Sequence, residues 1–183
     1  MPEIDSRYHH VHGHLVLGID DLRLQLYRLL ACFSTSRRIA EMVREGMTFL
    51  DQGMQSETEQ LEAHRLLVGC AIRLRIFDDE VRLRRGVEAT QWANKVGYLW
   101  PDKTSQDQEA LSLREACNKV IHAQVLNFWR ESEIDHDALA LPPLLPMMSL
   151  YGKYYAKEWK AELHIEPFVN IATGVLETPV SDG

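Results

Sequence analysis

The amino-acid sequence predicts a mostly α fold, a helical bundle with a C-terminal β-hairpin and a closing helix. Three observations predict it. Apolar residues recur at helical spacing from Ile19 through the first two thirds of the chain. Ser56 with Glu59 and Ser112 with Glu115 are capping-box pairs that open helices. Alternation comes late, where Met148 and Leu150 interleave with Ser149 and Tyr151, and Trp159, Ala161, Leu163 and Ile165 with Glu158, Lys160, Glu162 and His164. The 183 residues divide into an N-terminal His-containing segment (1–17), a single helical-bundle domain with its C-terminal hairpin (18–177) and a frayed tail (178–183).

In the opening segment, His9, His10, His12 and His14 alternate in a way that can present imidazoles to Zn or Ni. No Cys and no carboxylate nearer than Asp5 completes such a site, so an adventitious segment is expected and no metal is assigned. From Ile19, Leu22, Leu26, Leu29, Leu30 and Phe33 form one helical stripe that stops near Ser34-Thr35-Ser36. Ser36 then caps a second helix, with Ile39, Met42, Val43 and Met47 inward, or the two run together as one long helix.

The Ser56 capping box opens the longest helix, which runs to about Arg85 with Leu67, Cys70, Ala71, Leu74, Phe77 and Val81 buried. On it Arg75 reaches Asp78 and Asp79 at i+3 and i+4. Gly86 interrupts this helix, and Val87, Trp92, Val96 and Leu99 suggest a shorter one ending before the turn Trp100-Pro101-Asp102-Lys103. Trp92, Tyr98 and Trp100 can be read as a base-stacking platform, against the plainer reading of core and turn packing.

The next helix runs from Ser112 towards Gln124, with Leu113, Cys117, Val120 and Ile121 as its core stripe. Beside that stripe Arg114, Asn118 and His122 stand at i, i+4 and i+8, a cation, an amide and an imidazole one above another. Leu141-Pro142-Pro143-Leu144-Leu145-Pro146 is extended. A hairpin turning around Gly152-Lys153 follows, and a helix from Glu166-Pro167-Phe168 closes the chain with Phe168, Ile171, Ala172, Val175 and Leu176 inward.

The segment Asn118-Lys119-Val120-Ile121-His122 resembles the motif of the HEPN superfamily, small helical bundles many of which are RNases of toxin or antiviral systems. Their motif is an Arg, commonly followed by a polar residue, then a His four to six residues after the Arg. Here Asn118 and His122 match in type and spacing, Cys117 stands where the Arg is expected, and Arg114 lies one turn earlier. The resemblance implies an RNA-cleaving or RNA-binding protein in a defence or toxin setting, working as a homodimer. In metal-independent cleavage His122 would be the general acid or base, Asn118 would orient the phosphate or the imidazole, and Arg114 would stabilise the phosphorane charge. Arg75, Asp78 and Asp79 would support them from the facing helix. The alternative is a catalytically inactive protein-protein interaction or structural module in which Asn118 and His122 belong to a hydrogen-bond network.

Composition bounds these readings. A formal charge of −7 argues against coating nucleic acid by bulk electrostatics, and Arg37-Arg38 and Arg82, Arg84, Arg85 read as solvated helix ends. There is no apolar run of about 20 residues, so no membrane is expected. No secretory pattern is readable at Met1, and Cys32, Cys70 and Cys117 sit inside apolar helical patterns without CxxC spacing, which fits buried thiols in a cytoplasmic protein. GxGxxG and GxxxxGK[ST] are missing, as is a Glu-x-x-His pair on the core helices, so nucleotide-fold and di-iron readings fail and no cofactor is expected.

Overall fold

Twenty-six residues without a Pro or Gly, with Leu22, Leu26, Leu29, Phe33, Ser36 and Ala40 recurring on one side, make a single helix, α1, over Ile19–Arg44. Ser36 therefore does not cap a second helix. It is buried within α1, donates to Glu59 Oε2 at 2.9 Å and accepts from the backbone N–H of Leu144 at 3.0 Å. The computed structural model describes residues 10–11, 14–15, 18–47, 52–85, 94–131 and 142–177. Two short strands pair antiparallel near the N-terminus, β1 (His10–Val11) and β2 (His14–Leu15). His9 and His12, Gly86, Val87 and Trp92, Leu141 and the tail 178–183 lie outside the described residues.

The long helix α2 spans Gln52–Arg85, four residues earlier than its capping box suggests. Glu59 does not reach back to a helix start; its carboxylate takes Gln55 Nε2 at 2.8 Å and Arg130 Nη2 at 3.4 Å as well as Ser36. The strands β3 (Lys95–Trp100), β4 (Glu109–Ser112), β5 (Val125–Arg130), β6 (Leu144–Tyr154) and β7 (Lys157–His164) form one antiparallel sheet in the order β4-β3-β7-β6-β5. The short helices are α3 (Leu113–His122) and α4 (Ile165–Glu177).

This corrects the expected fold class: the chain is α+β, with four helices and a five-stranded antiparallel sheet among the described residues. The largest departure is β3, where a helix was expected. Val-Gly-Tyr-Leu-Trp is β-branched and aromatic; Val96 and Leu99 are buried, Tyr98 and Trp100 are half-buried, and the strand bonds β4 and β7 on its two sides. The hairpin exists, but its turn is Tyr155-Ala156, between the paired residues Tyr154 and Lys157. Gly152 is a strand residue opposite Trp159, and a Cβ there would lie 2.2 Å from the indole. Trp159, Leu163 and Ile165 are buried as the alternation predicts, although Ile165 is the first residue of α4.

Register sorts the sheet into two faces. Leu99, Ala161 and Leu150 align across β3, β7 and β6, as do Gly97, Leu163, Met148 and Phe128 once β5 is added. Their apolar side chains join the core with Leu22, Leu26 and Leu29 of α1, Leu113, Cys117 and Val120 of α3 and Phe168 and Ala172 of α4. Helix α2 packs mainly on α1 and α3 and meets the sheet at β5, where His64 stacks on Phe128 at 4.9 Å and Arg130 donates to Ser56 and Glu59. The other face carries Trp100, Lys160, Tyr151 and Val125 in one row and Tyr98, Glu162, Ser149 and Asn127 in the next.

Candidate functional site

The α3 stripe starts where Ser112 accepts the Glu115 N–H at 3.3 Å, the cap the sequence predicts. Leu113, Ala116, Cys117 and Val120 then turn inward, which leaves Arg114 and Asn118 facing α2 at the edge of the core. Arg75 Nε donates to Asn118 Oδ1 at 2.7 Å and its Nη1 donates to Asp79 Oδ1 at 2.7 Å. Arg114 Nη2 donates to Asp79 Oδ1 at 3.2 Å, while Arg114 Nη1 abuts the Asp78 carboxylate as an ion-pair contact without hydrogen-bond alignment. Asp78 is fully buried and also takes Arg82 Nε at 3.1 and 3.0 Å. Asn118 Nδ2 donates to Glu115. Burial, followed by the neighbouring Arg75, lowers the Arg114 pKa from the ordinary guanidinium range, and the buried Asp78 carboxylate supplies the compensating negative charge.

Five of the six expected site residues thus meet, in one ionic clamp between α2 and α3. The sixth does not join them: His122, in the last turn of α3, is exposed and has no side-chain hydrogen bond among the described residues. Asn118 and both carboxylates of the clamp are engaged by protein groups, while the buried Arg114 Nη1 has an ion-pair contact but no hydrogen-bond partner among the described residues. At the position of the motif's Arg, Cys117 is fully buried, and burial pushes its thiol up to about 12. A guanidinium placed there would point into the core.

A second constellation lies at one corner of the sheet. All six lysines of the chain fall between residues 95 and 160, and Lys103, Lys153, Lys157 and Lys160 cluster where the β6–β7 hairpin meets the 101–105 turn. Lys103 N donates to Glu158 O at 2.8 Å, and the Glu158 carboxylate is held low by Lys103 and Lys153. Between these lysines stand Trp100, Tyr151, Tyr154 and Tyr155. Lys160 Nζ lies 4.6 Å from the Trp100 ring centre, and at the other end of the strand Lys95 Nζ lies 3.4 Å from that of Tyr98.

At the hairpin tip Tyr154 and Tyr155 are 69% and 89% exposed, with ring centres 4.7 Å apart and edge to face. Tyr155 holds φ at 53°, a left-handed conformation that a bulky L residue adopts only at a cost. No family model, curated protein or solved structure matches this chain. The sequence reading reached Tyr98 and Trp100 as stacking candidates but missed the hairpin tip. The signal in the sequence is Lys153-Tyr154-Tyr155-Ala156-Lys157, aromatic residues bracketed by lysines that overlap the expected Gly152-Lys153 turn.

Among the described residues, no group of three or more His, Cys, Asp or Glu side chains is placed to hold a metal ion. No helix among them is long and apolar enough to cross a membrane.

Proposed function

We propose that this protein binds single-stranded RNA without cleaving it, through the lysine-and-aromatic corner of its sheet. The observation that carries this reading is the hairpin tip. Two tyrosines stand in solvent, one of them on a strained backbone position where Gly would sit free of strain, with Lys153 and Lys157 on either side. Exposed rings offer stacking surfaces to unpaired bases, and lysines beside them meet the phosphates. On a chain of charge −7, four lysines against Glu158, Asp102 and Glu162, the last paired to Lys160 at 2.8 Å, leave this corner with one positive charge in excess. The non-cleaving half of the proposal is supported by the clamp, which engages Arg114 and Asn118 with protein partners and leaves His122 without an orienting group.

Titrating a labelled oligouridine and reading fluorescence anisotropy tests the site. Stacking contributes about 1–3 kcal/mol per base, so Tyr155→Gly is expected to weaken binding by about five- to 150-fold. The same change relieves the left-handed strain, so the melting temperature is expected to hold or rise. Equal affinity of wild type, Tyr155→Gly and Trp100→Ala would remove the sheet corner from the account.

A further inference from the structure

Two carboxylates stand on the outer face of the sheet near the lysines, and they are held differently. Glu158 uses both oxygens, one against Lys103 and the other against Lys153. Glu162 uses one: its Oε1 accepts from Lys160 Nζ at 2.8 Å, and among the described residues its Oε2 accepts no hydrogen bond. The Glu162 side chain is 19% exposed, so it is fixed at the sheet surface with part of its hydration removed and one acceptor turned to no protein donor. Register places it opposite Tyr98 on β3 and Ser149 on β6, in the row beside Trp100, Lys160 and Tyr151. Tyr98 and Trp100, with ring centres 6.3 Å apart, flank it on the β3 side. On the β6 side the Ser149 hydroxyl accepts Trp129 Nε1 at 2.9 Å, which pins the indole over that strand.

We infer, resting on the RNA reading above, that Glu162 reads the base held on this face and selects guanine. A carboxylate only accepts hydrogen bonds, and unpaired bases are read on their Watson–Crick edges. Guanine presents two adjacent donors there, N1–H and an N2 amino hydrogen, which match the two oxygens of one carboxylate. The Glu162 Oε2 is open to the first, and Oε1 keeps a second lone pair beside its bond to Lys160 for the other. Uracil sets its single N3–H between two carbonyl oxygens, and adenine and cytosine set a ring-nitrogen acceptor beside the amino group, so each brings a lone pair against the carboxylate. Charge argues the same way. A carboxylate repels phosphate, so at a corner with one positive charge in excess Glu162 weakens backbone binding unless a base donor meets it. The rings on either side give that base its stacking surface while the carboxylate meets its edge.

Fluorescence anisotropy of the full chain with labelled uridine octamers, one unmodified and the others carrying a single central guanine, adenine or inosine, tests it. The wild type is expected to bind the guanine octamer about five- to 150-fold tighter than the adenine octamer. Adenine controls for purine stacking, and inosine, which lacks the N2 amino group, is expected to fall between the two. Glu162→Gln is expected to lose most of that ratio while binding the unmodified octamer at least as well, since a neutral amide does not repel phosphate. A purely structural role through Lys160 would instead weaken every octamer by one factor and leave the ratio unchanged. That result, or equal wild-type affinity for guanine and adenine, would overturn the inference while binding of octauridine leaves the RNA reading standing. Equal affinity for guanine and inosine would overturn it on the wild type alone, whether or not Glu162→Gln folds. Failure of every octamer to bind would overturn both.

Discussion

At the residue scale, what distinguishes Asp78 from His122 is burial. Asp78 has no solvent to fall back on, so removing its carboxylate takes the described counter-charge from half-buried Arg82 and leaves Arg114 with Asp79 alone. Asp78→Ala is expected to lower unfolding free energy by about 3–5 kcal/mol in urea, and His122→Ala to change it by less than about 0.5 kcal/mol. A loss at His122 matching that at Asp78 would place the imidazole inside the network after all. Part of this was legible: the i+3 and i+4 spacing already joins Arg75 to Asp78 and Asp79. That Arg75 also grips Asn118 was not, because local spacing carries no information about which helix packs across from which. Cys70 and Cys117 were legible as core residues, and burial pushes both thiols up to about 12, so neither offers a thiolate for labelling in the native state.

At the scale of elements, two departures have the same cause: a polar or small residue makes a tertiary contact inside regular structure. Ser36 looks like a cap, yet it lies mid-helix and joins α1 to Glu59 of α2 and to the first N–H of β6. Ser36→Ala is expected to cost about 1–3 kcal/mol, since the buried Leu144 N–H then has no acceptor; thermal unfolding of the variant at wild-type levels would show that a water replaces the hydroxyl. Gly152 looks like a turn, yet it gives Trp159 room over β6, while the true turn at Tyr155-Ala156 holds no turn residue at all. Helices α2, α3 and α4 were legible in existence: the Ser112 cap marks the start of α3, Pro167 falls in the first turn of α4, and the apolar period carries α2, whose start the Ser56 capping box misplaces.

For the whole molecule, a sheet of five strands was not legible because only β7 alternates cleanly. Strands β3 and β5 are six residues each, and the apolar positions of β3 fall at spacings that also fit a helix. What assembles them is pairing between distant segments, β3 on β7 above all. The assembly places the helices on one face and gathers Trp100, Tyr151, Lys153 and Lys160 on the other, with the hairpin tip beyond. This separation is the physical basis for assigning binding to the sheet and structure to the α2–α3 clamp. The two roles make opposite demands on one experiment. End-labelled single-stranded RNA, incubated with the wild type and with His122→Ala and followed for both bound fraction and intact length, is predicted to be bound equally by both proteins and to stay full length. If three lysines meet phosphates, the logarithm of the affinity should fall with the logarithm of salt at a slope of about −2. RNA shortened by the wild type and spared by His122→Ala would contradict the account, as would RNA left unbound by both at low salt.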